Sequence, residues 1–167
     1  MSIISASPVM SVYFCFRRNL YMFLSKSFGY ALRGILYVAS MNGEHRKVQA
    51  EEIANKLSVP RHFLGKIMQQ LVKAGLLQST KGPYGGFYLA DDTLKMPLIK
   101  LVEITDGLDQ FNICVLQFRP CNKTNPCPLH IEMDVIKTKL KQVLTETTIQ
   151  DLLKEDKKIF IDSLSVR

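Results

Sequence analysis

No two cysteines in this chain are separated by two residues, so the paired-thiol signature of a disulfide oxidoreductase is missing. No glycine-rich segment carries the Lys-Ser/Thr of a P-loop or lies between a strand and a helix, which removes nucleotide chemistry. A Cys–His hydrolase would need an orienting third group and oxyanion donors, and no segment supplies them. Catalysis is therefore not expected. An apolar run of bilayer-spanning length is also missing. Within residues 1–21 the apolar stretch is short, and Arg17 and Arg18 follow it, the reverse of a secretory signal. A cytoplasmic protein is expected, with no membrane association. Residues 1–21 read as an N-terminal extension or upstream start, with Cys15 outside any site and Met22 opening the first patterned segment.

Acidic residues are scarce in one half only. Residues 1–95 hold 12 Lys/Arg against 5 Asp/Glu, whereas residues 96–167 hold 10 of each, so the formal charge of +7 belongs to the first half. Such asymmetry suits a polyanion partner, because neutralised phosphates release counterions. A length of 167 residues with 47% hydrophobic content fits one small domain with an appended oligomerisation element.

What is present in the basic half has helical spacing. From Ser25 to Asn42, Phe28, Ala31, Leu32, Ile35, Leu36 and Ala39 recur at intervals of three and four, with Ser25 as cap and Gly43 as stop. Ala50–Leu57 predicts a short helix with Glu51 and Glu52 at its positive end. Ser58-Val59-Pro60 then breaks the chain, and Phe63, Leu64, Ile67, Met68, Leu71 and Val72 form the apolar stripe of a second helix ending near Gly75. Its other face presents Arg61, His62, Gly65, Lys66, Gln69, Gln70 and Lys73, groups able to read base edges or touch phosphates in a major groove. Gly65 would stay small for close approach. Leu76–Thr80 and Phe87–Leu89 flank Lys81-Gly82-Pro83-Tyr84-Gly85-Gly86 and predict a hairpin, the wing, with Lys81 at the DNA backbone or minor groove and Tyr84 at the tip.

Cys114, Cys121, Cys127 and His130 are the candidate metal ligands. Six residues separate the first two cysteines and five the next two, with prolines and no apolar period between them, so the segment predicts a loop. Buried free thiols are one alternative, and a disulfide pair with one thiol left over is a second, against which stands the transience of most cytosolic disulfides. Arg119, Pro120, Asn122, Lys123, Thr124 and Asn125 favour an exposed loop instead. Asn125-Pro126-Cys127-Pro128 places Cys127 near a helix N-cap, where a thiolate is favoured, and His130 follows one turn later. Structural zinc and an iron–sulfur cluster both suit three thiolates and an imidazole, and spacing does not choose between them.

The segments MFLSKSFGYALRGILYVA at 22–39 and EEIANKLSVPRHFLGKIMQQLVKAGLLQSTKGPYGGFYLA at 51–90, with the cysteine run ending CPLH, resemble the Rrf-two family of bacterial transcriptional regulators in its IscR- and NsrR-like, cysteine-triad branch. The resemblance implies a homodimer on palindromic double-stranded operator DNA and an iron–sulfur cluster, 2Fe-2S favoured over 4Fe-4S, whose occupancy or redox state sets operator affinity. Redox and nitric oxide are the implied signals. A regulator with zinc, redox-active thiols or no metal is the alternative. It also implies His130 as fourth ligand, since Gly29 occupies the place where other members put an aspartate.

The expected architecture is mostly α. It comprises residues 1–21 as extension, 22–95 as a winged helix-turn-helix domain with a two-stranded wing, 96–128 as linker helix and cysteine loop, and 129–167 as a long C-terminal dimerisation helix with its tail. Leu129, Met133, Ile136, Leu140 and Val143 alternate gaps of four and three, the spacing of a helix-pairing seam. Asp106, Asp109, Glu132 and Asp134 are expected to be solvated charges.

Overall fold

In the computed structural model the described residues are 24–41, 46–90, 92–114, 116 and 124–154. Helix α1 spans Lys26–Met41, α2 spans Ala50–Leu57 and α3 spans Arg61–Lys73; strands β1 (Leu77–Thr80) and β2 (Gly86–Leu89) follow. Helix α4 (Leu98–Thr105), α5 (His130–Glu146) and the short α6 (Ile149–Leu152) complete them, with 3-10 turns at Thr93–Lys95 and Asp109–Phe111. The mostly helical winged architecture and the long C-terminal helix match the sequence expectation.

The α2–α3 corner is made by one left-handed residue. Ser58 adopts φ 53°, which lets the Val59 amide donate to the Ala54 carbonyl at 3.0 Å while Pro60 caps α3. Leu64, Ile67, Met68 and Leu71 then point inward against α1. The two helices pass so closely that a Cβ on Gly34 would lie 2.8 Å from Met68 Sδ. Each fully buried Leu or Ile in this contact contributes about 1.5–3 kcal/mol relative to exposure.

β1 and β2 pair antiparallel, Leu77 opposite Leu89 and Thr80 opposite Gly86. A further backbone segment joins them. Val48 and Phe87 exchange both hydrogen bonds, at 2.9 and 2.8 Å, so the chain ahead of α2 forms a one-residue third strand. Leu98, Leu101 and Val102 of α4 enter the same core, as do Leu144 of α5 and Ile149 of α6. The Leu98 amide donates to the Thr147 carbonyl at 2.9 Å, returning the end of α5 to the start of α4. Thr148 and Asp151 form a capping box on α6, and Lys154 and Thr148 hold the Asp151 carboxyl well below the usual carboxylate range.

Two expectations need correction. Phe63 is not in the core: it is 41% exposed and stands edge-on to Tyr30, ring centroids 5.5 Å apart, because the inward stripe of α3 is already filled by Leu64, Ile67, Met68 and Leu71. Asp106 is not a free solvated charge. Its carboxylate accepts the Ser25 amide at 2.8 Å and the Ser25 hydroxyl, capping α1 from a position 81 residues away. Cys127 lies near the start of α5, two residues ahead of the Leu129 N-cap, and the His130 amide donates to the Cys127 carbonyl at 2.9 Å in a turn ahead of α5.

Candidate nucleic-acid interface and cysteine site

On α3, gaps of four, three and four bring His62, Lys66, Gln69 and Lys73 onto one stripe, opposite the buried residues. All four are exposed, and Gly65 lies at the stripe's edge. A Cβ on Gly65 would meet nothing within 4 Å, so no packing inside the subunit requires a glycine there. Arg61, also exposed, pairs with Glu51 at 3.1 Å. A surface pair of this kind contributes little stability and yields readily to a phosphate. The face carries cations and amides without a carboxylate of its own helix.

The wing projects beside this helix. Lys81 is exposed and Tyr84, at the tip, is 94% exposed. The tip is fastened at its root: Gln49 Nε2 donates to the Pro83 carbonyl at 2.9 Å, and a Cβ on Gly85 would lie 2.2 Å from the Thr80 carbonyl oxygen. Arg46 pairs with Glu52, which also accepts the Tyr37 hydroxyl at 3.0 Å. Burial pushes the Tyr37 phenol above its ordinary value, and the Glu52 hydrogen bond and charge act in the same direction.

Cys114 follows the 3-10 turn at Asp109–Phe111, and Cys127 leads into α5. Their Sγ atoms lie 3.9 Å apart, and both side chains are of intermediate exposure. Two sulfurs at ~2.3 Å from one tetrahedral ion would be separated by roughly 3.8 Å, so the spacing fits shared ligation and excludes a disulfide between this pair. His130 is the first residue of α5, one turn beyond Cys127. Cys121 lies outside the described residues, among which no group of three or more His, Cys, Asp or Glu side chains is gathered as a metal site.

Sequence reasoning missed Lys137. It is only 9% exposed, two turns along α5 from His130, and its ammonium donates to the carbonyl of Ile113, the residue before Cys114. A lysine in a helix of mixed charge carries no sequence signal for such anchoring. Of the proposed seam, Leu129, Ile136 and Val143 are exposed, whereas Leu140 is partly packed against the subunit's own core and Met133 is half-buried. Ile131 and Val135, outside that seam, are 72% and 65% exposed.

A helix-turn-helix with a glycine-tipped wing, followed by cysteines at the mouth of a long helix, is matched over residues 24–155 by the family model described as Rrf2, iron-dependent transcriptional regulator. The chain belongs to the Rrf2 family. An HTH-type transcriptional regulator of Aquifex aeolicus is 35% identical over 142 residues, covering 83% of this chain and 97% of that protein. The HTH-type transcriptional regulator NsrR of Geobacillus kaustophilus is 28% identical, covering 75% and 86% respectively. Among solved structures, CymR, the global cysteine regulator of Bacillus subtilis, superposes with a TM-score of 0.65 at 24% identity, covering 80% of this chain and 97% of that one. IscR of T. potens gives 0.61 at 22%, covering 79% and 86%. This Rrf2 protein is a DNA-binding transcriptional regulator, not an enzyme. Among its described residues no helix is long and apolar enough to cross a membrane.

Proposed function

We propose that this Rrf2 regulator senses through an iron–sulfur cluster held by Cys114, Cys121, Cys127 and His130, and that cluster occupancy or redox state sets its affinity for a palindromic operator. The observation that carries the reading is the 3.9 Å approach of two thiols 13 positions apart in sequence, with an imidazole one turn further on. The donor set fits the group: thiolates dominate cluster ligation and histidine can replace one. When bound, the cluster supplies a redox-active and labile centre.

The protein's own residues supply the coupling. Asp106 ties the approach to the cysteine loop to the first turn of α1, and α1 packs directly on Met68 of α3. Lys137 ties the residue before Cys114 to α5. Without a metal, neighbouring thiolates repel or take up protons, so filling the site orders the loop and shifts the two helices it joins. A differential of about 1–3 kcal/mol between states changes operator affinity roughly 5- to 150-fold.

Arg61, His62, Gly65, Lys66, Gln69 and Lys73 enter the major groove in this reading, and Lys81 and Tyr84 meet the adjacent backbone or minor groove. The regulator acts as a homodimer through α5, whose exposed Leu129, Ile136 and Val143 continue the seam that Met133 and Leu140 begin closer to the core. Zinc or redox-switching thiols in the same site would be the outcome if the cluster is not found. Anaerobic purification tests the reading: a visible charge-transfer band with iron and acid-labile sulfide supports it, and a colourless, zinc-loaded protein overturns it. Cys121→Ala is expected to abolish the band and the iron; full retention of both would remove Cys121 from the ligand set.

A further inference from the structure

Arg46 and Lys47 belong to no predicted reading element, yet the structure builds them into the wing. The paired hydrogen bonds of Val48 with Phe87 make their segment a third strand, and Gln49 grips the tip through the Pro83 carbonyl. A Cβ on Gly86 would lie 2.7 Å from the Val48 carbonyl oxygen, so strand and wing touch backbone to backbone. Between them opens a cleft of about 420 Å³ lined by Arg46, Lys47, Gln49, Glu52, Pro83 and Tyr84.

Its charges are not balanced. Glu52, the acid in the lining, is committed to Arg46 and to the Tyr37 hydroxyl. Lys47 makes no ion pair among the described residues; its ammonium lies 5.7 Å from the centroid of the Tyr88 ring. The second amide hydrogen of Gln49 and the exposed Tyr84 hydroxyl add neutral donors at the same opening. An anion small enough to lie against backbone and held at the wing root is the complementary ligand.

We infer that this cleft seats a DNA backbone phosphate, with Lys47 as its charge contact, so that the wing is clamped at its root as well as at its tip. The inference rests on the DNA-binding reading of α3 and the wing, and it adds a contact that carries no base information. Phosphate contacts fix position and lower affinity uniformly across sequences when lost.

The test uses the full-length chain and two fluorescein-labelled duplexes, one of random sequence and one selected from a random pool by the wild-type protein. Lys47→Gln is expected to lower the slope of log K against log salt by about 0.9 for each bound subunit, and to weaken both duplexes equally, by roughly fivefold per subunit near 0.15 M salt. Lys47→Arg is expected to restore both slope and affinity. An unchanged slope in Lys47→Gln, or a loss confined to the selected duplex, overturns the phosphate site while leaving the α3 and wing reading intact. Failure of the wild-type chain to bind either duplex overturns both.

Discussion

Gly65→Ala is expected to move stability and DNA binding in opposite directions. Gly65 lies inside α3, four residues after its first residue and eight before its last, where glycine's backbone freedom is lost without return. An added Cβ meets nothing within 4 Å, so no clash offsets the gain in helix propensity. The expected gain is about 0.5–1 kcal/mol, or a rise in melting temperature of roughly 1–4 °C for a chain of this size. On the proposed groove face the same methyl stands between the helix backbone and DNA. Overpacking a close contact typically costs about 1–3 kcal/mol, which corresponds to roughly 5- to 150-fold in affinity. Thermal melting by circular dichroism and fluorescence anisotropy with the selected duplex measure the two effects separately. A lowered melting temperature would refute the open-space geometry of α3. A raised melting temperature with unchanged affinity would refute the placement of this edge of the helix against DNA.

Two further perturbations test the frame around the site. Gly86→Ala should push Val48 away from β2, since the new Cβ meets Val48 backbone atoms at 2.7–2.9 Å with φ at +152°; the two lost hydrogen bonds and the strain cost about 2–5 kcal/mol. Gly82→Ala, at φ +109° but with open space around it, should cost about 1–3 kcal/mol, so urea titrations giving equal losses would refute the backbone clash. Asp106→Ala removes both acceptors of Ser25 and should cost about 1–2 kcal/mol, lowering the melting temperature by roughly 2–8 °C. Asp106→Asn, which keeps a neutral acceptor, should lose less; indistinguishable melting of Asp106→Ala and wild type would show that the cap contributes nothing.

Much of this architecture was legible because its elements are amphipathic at short range. The apolar intervals of α1 and α3, the Ser58-Val59-Pro60 break and the glycine-rich tip each carry a local signal, and α2 occupies the predicted Ala50–Leu57. The same arithmetic sorted α3 into a buried stripe and a polar one, with Phe63 alone misplaced. That error has a physical source: a helix of 13 residues has room for one inward stripe, and Leu64, Ile67, Met68 and Leu71 fill it, leaving Phe63 to pack sideways on Tyr30. Spacing identifies a residue as apolar and periodic, but which of two flanking positions faces the core depends on the neighbour it meets.

What the sequence could not disclose are contacts whose chemistry belongs to the backbone or to distant partners. Val48 joins the wing through its main chain, so one apolar residue between polar ones left no strand-like alternation to detect. Asp106 and Ser25 are each ordinary polar residues at helix ends, and their pairing arises only because α4 returns across the first turn of α1. Lys137 is the sharpest case. Nothing in the sequence singled it out, yet the side chain is buried and the ammonium ends on the Ile113 carbonyl. The three contacts fall at two places: the first frames the wing, and the other two bracket the cysteine segment. In the proposed sensing mechanism, those are the joints through which a change at the sulfur site would reach the DNA-reading face.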